Sequence, residues 1–220
     1  MEVKVIRKSV KNLILKIRPD GEIEVVVPRR VSNLYIKDFL ARKKSWIEKK
    51  LEEIKKRKTK QILYNTGDKI FYLGKEYNFI LQKSDSDYIE KNEDTITLFT
   101  KAPDNFEEKH LLINSWYREE GRRIFVPILE KYLKITGKQI EKVTIKTLKS
   151  NWGSCNYKRR TINLNSEMMK RDIKFIEYVI LHEIAHLEHP NHSRNFYEYI
   201  EKFMPDWKIR KKYKYKTRTG

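Results

Sequence analysis

The run His182-Glu183-Ile184-Ala185-His186, followed by a further histidine at His192, constrains this chain more than any other feature. A helix turns roughly 100° per residue, so side chains four apart share a face, one turn up. His182 and His186 can therefore offer two imidazole nitrogens to one metal ion. Glu183 lies about 100° round from His182, within reach of a metal-bound water and too far round to be an obvious ligand itself. In zinc hydrolases two histidines at this spacing bind the metal and the glutamate serves as general base. The alternative is an amphipathic helix that happens to carry two histidines; the rarity of this pentapeptide favours the metal.

The flanks add to that reading. Phe175-Ile176-Glu177-Tyr178-Val179-Ile180-Leu181 is an apolar helical lead-in, and Asp172 is an N-cap candidate before it. Pro190 and Asn191 are turn residues that stop the helix. His192 then arrives at the spacing metzincin proteases use for a third zinc histidine, with His189 in place of their glycine. Ser193 can cap a last helix from about Arg194 to Lys202. Three neutral imidazoles with one open position is a catalytic pattern, whereas a structural zinc site is closed by four protein ligands. His192 is preferred to His189 as the third ligand, because Pro190 ends the chain's helical run directly after His189. Glu188 and Glu201 are outside candidates, and His110 reads as an ordinary surface or core histidine.

Several segments together carry a family resemblance. Trp152-Gly153-Ser154-Cys155, Thr161-Ile162-Asn163-Leu164-Asn165, Tyr178 to His186 and Asn191-His192-Ser193-Arg194-Asn195-Phe196 resemble the YgjP-like metallopeptidase family, whose zinc core is similar to that of SprT-like and WLM proteases. Arg7-Lys8-Ser9, Leu15 to Gly21, Pro28, Leu73-Gly74-Lys75 and Met204-Pro205-Asp206-Trp207 extend the likeness over nearly the whole chain. The resemblance implies Zn2+ as cofactor, His182, His186 and His192 as its ligands and Glu183 as catalytic acid and base. One departure is Asn151, where the family usually has arginine.

The formal net charge is +19. Such a balance suits a polyanionic partner such as nucleic acid, a nucleotide or an acidic protein, and it equally suits a lysine-rich solvated surface. The denser basic clusters are Lys37 to Lys60 and Lys208 to Lys216. The second interleaves tyrosines with lysines, as a base-stacking strip or a frayed terminus would. Cys155 is the single cysteine, which excludes an internal disulfide and fits a reducing cytosol. It reads as a small buried strand residue rather than a fourth ligand or a nucleophile. No run approaches the roughly 20 apolar residues of a membrane span, so a soluble, cytoplasmic protein with no membrane partner is expected. Nothing here indicates the oligomeric state.

The expected fold class is α+β. Residues 1–100 form a β-rich N-terminal subdomain, joined by a long helix to a zincin-like metallohydrolase domain over 101–220 with a small antiparallel sheet and the motif helix. Val3–Ile6, Leu13–Ile17 and Ile23–Val27 suggest a small meander, and Ser32 caps a helix through about Lys58. Lys69–Leu73, Tyr77–Leu81 and Thr95–Phe99 are further strands, with a hairpin turn at Gly74-Lys75. Phe106 to Ile135 is helical, with Gly121 and Pro127 as candidate interruptions. Val143–Leu148 and Thr161–Asn165 are read as an antiparallel pair beside the motif helix, where an extended peptide could add as a strand. Trp152 and Ser154 could line that cleft, and Gly153 would permit close backbone approach. The function that follows is a zinc metallopeptidase acting on proteins or peptides through a Glu183-activated, zinc-bound water. The alternatives are a metal-dependent nucleotide phosphohydrolase and a nucleic-acid-associated zinc protein.

Overall fold

The computed structural model describes residues 3–18, 20–59 and 62–213. Lys60 and the Lys214-Tyr215-Lys216 end of the second basic cluster lie outside them. The fold is mixed α and β and divides into two compact units, residues 1–61 and 62–220.

The first unit holds β1 (Val3–Lys8), β2 (Ile14–Ile17) and β3 (Ile23–Pro28) in the order β1-β3-β2. It is not the expected meander, because β1 runs parallel to β3 and only β2 is antiparallel to it. The reason is burial: Ile23 to Val27 are buried without interruption, so β3 takes the centre, while β1 and β2 are mostly exposed. Glu24 within that run is only 7% exposed and accepts from Arg18 Nη2 at 2.7 Å. Ser32 Oγ accepts from the Tyr35 amide at 3.2 Å and starts α1 (Asn33–Arg42). The single expected helix is interrupted at Lys43 (φ −96°, ψ 0°) before α2 (Lys44–Thr59). Val25, Val27 and Ile36 form a small core of their own.

The second unit opens with β4 (Lys69–Tyr72), β5 (Lys75–Lys83), β6 (Tyr88–Lys91) and β7 (Thr95–Thr100), in the order β4-β5-β7-β6. Then α3 (Phe106–Thr136) runs from an Asn105 side-chain cap to Gly137 in the left-handed region. It passes Gly121 and Pro127 without a break. A Cβ at Gly121 would lie 3.2 Å from Ile145, so the glycine serves close packing rather than a kink. Next come β8 (Lys142–Lys146), β9 (Gly153–Asn156) and β10 (Thr161–Asn165), in the order β8-β10-β9. The antiparallel expectation for residues 143–148 and 161–165 is corrected here: β8 and β10 pair in parallel. The antiparallel partner of β10 is β9, formed from the intervening segment and joined to β10 by a turn in which Arg160 has φ 50°.

A 3-10 turn (Ser166–Lys170) leads to α4 (Ile173–Ala185), α5 (Arg194–Phe203) and α6 (Trp207–Lys212). Ile70, Phe79, Ile96 and Leu98 share one apolar core with Ile113, Phe125, Phe175 and Ile180. The strands from 69 to 100 therefore fold with the C-terminal part of the chain, and the contact boundary falls at residue 61/62 where the sequence reading sets it at 100/101. The β4–β5 connection is the two-residue turn Leu73-Gly74, with φ 47° and 82°. It is seated against α4: the Leu73 amide donates to the Met169 carbonyl at 2.7 Å, and a Cβ on Gly74 would be 3.1 Å from the Asp172 backbone.

Candidate metal centre

Most of α4 is apolar and lies buried in the main core, with Lys174 exposed and Glu177 and His182 half-buried. Asp172 starts it by accepting from the Lys174 amide at 2.8 Å. The chain leaves α4 at His186, makes one more turn in which the His189 amide donates to the Ala185 carbonyl at 2.9 Å, and turns back after Pro190. That reversal carries His192, just before α5, onto the motif face.

The three histidines converge. His182 Nε2 and His192 Nε2 are 2.9 Å apart, and one ring nitrogen from each of His182, His186 and His192 lies within 4.8 Å of the others. Zn–N bonds of about 2.0–2.1 Å at tetrahedral angles place nitrogens roughly 3.4 Å apart, so a small rearrangement fits the set to zinc. The tautomers agree as well. His186 Nδ1 is 3.2 Å from the His189 carbonyl, which can only accept; Nδ1 therefore carries the proton and Nε2 keeps its lone pair. His182 Nδ1 is buried with no hydrogen-bond partner among the described residues. Burial foremost, then the neighbouring imidazoles and Lys211, holds the His182 pKa down to about 3, and burial also lowers that of His186. Neutral imidazole is the form that binds a metal. The donor set fits a divalent ion of zinc's preferences.

Phe196, on the first turn of α5, fixes the cluster. It is fully buried, and its ring centroid lies 4.8, 4.7 and 4.8 Å from those of His182, His186 and His192. No role for Phe196 is legible in the chain, because His192 precedes α5 and only the reversal after Pro190 brings the ring against all three histidines.

Glu183 is 5% exposed, and burial pushes its carboxyl up to about 8. Gly153 in β9 lies directly against it. Close approach of a peptide backbone is what the sequence suggests for this glycine; the contact the structure shows is a different one, with the Glu183 side chain, which a Cβ there would meet at 2.7 Å. A cleft of about 680 Å³ opens over the histidines, with Trp152, Ser154 and Cys155 on the β9 side, Tyr178 from α4 and Lys211 from α6. Trp152 is wall and core at once: it meets Phe175 edge-on at 5.5 Å and carries the Arg171 guanidinium over its ring at 5.3 Å. Ser154 Oγ accepts from Asn163 at 3.1 Å. Burial and, second, Glu183 push the Cys155 thiol up to about 11, so it stays protonated and stands apart from the converging donors.

The remaining candidates point elsewhere. The His189 ring packs on Tyr199 at 5.6 Å, Glu188 is paired with Lys138, and Glu201 faces Lys208 at 4.0 Å. His110 stacks on Phe106 in α3. The described part of the second basic cluster, residues 208–213 of the Lys208 to Lys216 strip expected to be frayed or base-stacking, lies largely in the helix α6. Trp207 stacks on Tyr178 at 6.1 Å and on Tyr197 at 5.1 Å, and Arg210 pairs with Glu177 of α4 and with Asp206.

The sequence matches the family described as YgjP-like, metallopeptidase domain, over residues 11–213. Among solved structures, the metallopeptidase zymogen of Pyrococcus abyssi abylysin is 30% identical, with 39% of this chain and 87% of that one covered and a TM-score of 0.36. The metallopeptidase zymogen of Methanocaldococcus jannaschii jannalysin is 22% identical, with coverages of 42% and 90% and the same TM-score of 0.36. No curated protein matches the chain.

Proposed function

Because this chain belongs to the YgjP-like metallopeptidase family, we propose that it is a zinc-dependent metallopeptidase hydrolysing peptide bonds in proteins or peptides. His182, His186 and His192 are its zinc ligands, and Glu183 is its general acid and base. The observation that carries this reading is the convergence of three imidazole nitrogens within 4.8 Å of one another in a cleft. Three protein ligands leave a coordination position free, which is the pattern of catalytic rather than structural zinc.

Bound zinc would act as a Lewis acid on the scissile carbonyl and acidify the water at the open position towards ~7. Glu183 does the proton work. A carboxyl raised to about 8 by burial gives up and regains a proton near neutral pH, and a nearby dication would bring it closer still to neutrality. It takes the proton from the attacking water on a carboxylate oxygen, holds it beneath β9 and delivers it to the departing amine nitrogen. His186, anchored through Nδ1 to the His189 carbonyl, keeps its orientation throughout. β9 ends the β8-β10-β9 order and its residues line the cleft, so its outer edge can receive an extended peptide by main-chain pairing, with little demand on sequence. The lone thiol suits a reducing, cytoplasmic setting.

The test is cleavage of an unfolded polypeptide by the zinc-loaded protein beside a Glu183→Gln control. Zinc-dependent cleavage lost in the variant supports the reading. Wild-type turnover by Glu183→Gln would remove the general-base assignment, and phosphate release from nucleoside triphosphates without peptide cleavage would overturn the substrate class.

A further inference from the structure

The charges of α6 are not equally matched. Lys208 faces Glu201 at 4.0 Å, and Arg210 is paired with both Glu177 and Asp206. Lys211 has no carboxylate partner among the described residues, and it is the only lysine or arginine among those lining the cleft. Its position is built rather than accidental. Trp207, stacked between Tyr178 and Tyr197, and the Arg210–Glu177 pair together fix α6 on α4, and Lys211 Nζ sits 6.0 Å from the Trp207 ring centre. The one acidic residue lining the cleft is Glu183, buried under Gly153.

We propose that Lys211 is a specificity-determining residue that binds a carboxylate of the peptide substrate, so that the cleft selects acidic peptides. This inference rests on the metallopeptidase reading. The cleft is lined by three histidines, one enclosed glutamate and one lysine without a carboxylate partner among the described residues, so a peptide anion supplies the missing partner. A single lysine with no accompanying arginine is a poor match for a triphosphate, which proteins usually grip with several donors at once. The carboxylate can come from an aspartate or glutamate side chain or from the substrate's own C-terminus.

The experiment uses the zinc-loaded full chain and one cleavable sequence in three forms: neutral with an amidated end, the same with one glutamate, and neutral with a free C-terminal carboxylate. One or both charged forms should show a KM lower by on the order of fivefold, the scale of a partly solvated ion pair. Which form gains identifies the source of the carboxylate. The advantage should shrink in Lys211→Met, persist in Lys211→Arg and fade as salt rises. Equal KM for all three forms, or a Lys211→Met defect in kcat shared by all three, overturns the proposal. Binding of the same peptides to the Glu183→Gln protein, followed by fluorescence anisotropy, separates the two claims. Charge-dependent binding without any wild-type cleavage upholds Lys211 and removes the peptidase reading, whereas cleavage without charge dependence does the reverse.

Discussion

A Cβ added to Gly153 would fall 2.7 Å from Glu183 Oε1 and 2.8 Å from its Cδ, closer than atoms in proteins approach. The backbone of β9 is thus the surface that closes over the carboxylate, and no side chain can stand between them. This contact both dries the glutamate and limits where it can swing.

Gly153→Ala should therefore displace Glu183 while leaving the histidines in place. A shift of about 1 Å in a catalytic group can cost about 100-fold in rate, so kcat should fall on that scale. Overpacking should destabilise the fold by about 1–3 kcal/mol. Zinc content measured by atomic emission should stay near wild type. Unchanged kcat would mean that the carboxylate has freedom the structure does not suggest.

The raised pKa of Glu183 has a consequence for stability. In the metal-free protein the folded state holds this proton up to about pH 8, whereas the unfolded chain releases it near 4.5. The stability linked to that proton is fully present below pH 4.5 and is lost as pH rises through 8. Glu183→Gln, which never ionises, should thus melt progressively higher than wild type as pH increases, by roughly 5 °C at pH 9. Thermal melts of the apo proteins from pH 5 to 9 measure it, and a constant difference would sink the argument.

His182 acts in the opposite direction on the acid side. Its pKa near 3 in the fold lies below the ordinary 6.5, so the unfolded chain binds the extra proton first. Stability should drop as pH falls from 6.5 towards 3, and His182→Asn should flatten that part of the apo stability curve. A curve of the same slope in the variant would place the acid sensitivity elsewhere.

His192→Ala should weaken zinc binding by at least about 100-fold, since losing even an outer partner of a ligand typically costs about 10–100-fold. Competition with a chromophoric chelator reads this directly. His189→Ala, whose ring packs on Tyr199 rather than on the cluster, should change affinity far less. If the two variants weakened zinc equally, the third ligand would have to be reassigned.

Phe196→Ala should open space beneath three rings at once. A buried Phe→Ala change costs about 3–5 kcal/mol. Phe196→Leu keeps most of the volume and loses the ring, so it should fold while binding zinc more weakly than wild type. Isothermal titration of Phe196→Leu against wild type checks the point, and equal affinity would limit Phe196 to packing alone.

The site was more legible in the chain than the fold around it. His182, Glu183 and His186 declare themselves because helical spacing is local, and Pro190-Asn191 marks the reversal that returns His192. Asp172 and Ser32 were readable as caps for the same reason. Strand pairing is not local. Nothing between residues 142 and 165 says that β8 should run parallel to β10 while the intervening segment supplies the antiparallel partner. Nor does a basic helix near the end disclose that Arg210 will find Glu177, some thirty positions earlier, and so bring Lys211 to the cleft. Gly153 reads in the chain as room for a peptide backbone, whereas its contact with Glu183 depends on how α4 meets β9, which only tertiary packing decides.

The Leu73-Gly74 turn, seated on the start of α4, bears on how this protein can be taken apart. A fragment beginning at residue 101 would strip β4 to β7 from the core, baring Ile113, Tyr117 and the apolar side of α4, and would remove the support beneath Asp172. The smallest piece that could carry the histidine cluster as an independent unit therefore begins near Ile62. Anyone grafting, trimming or recombining this histidine-bearing unit should cut there, and should treat the four-stranded sheet as part of its chassis.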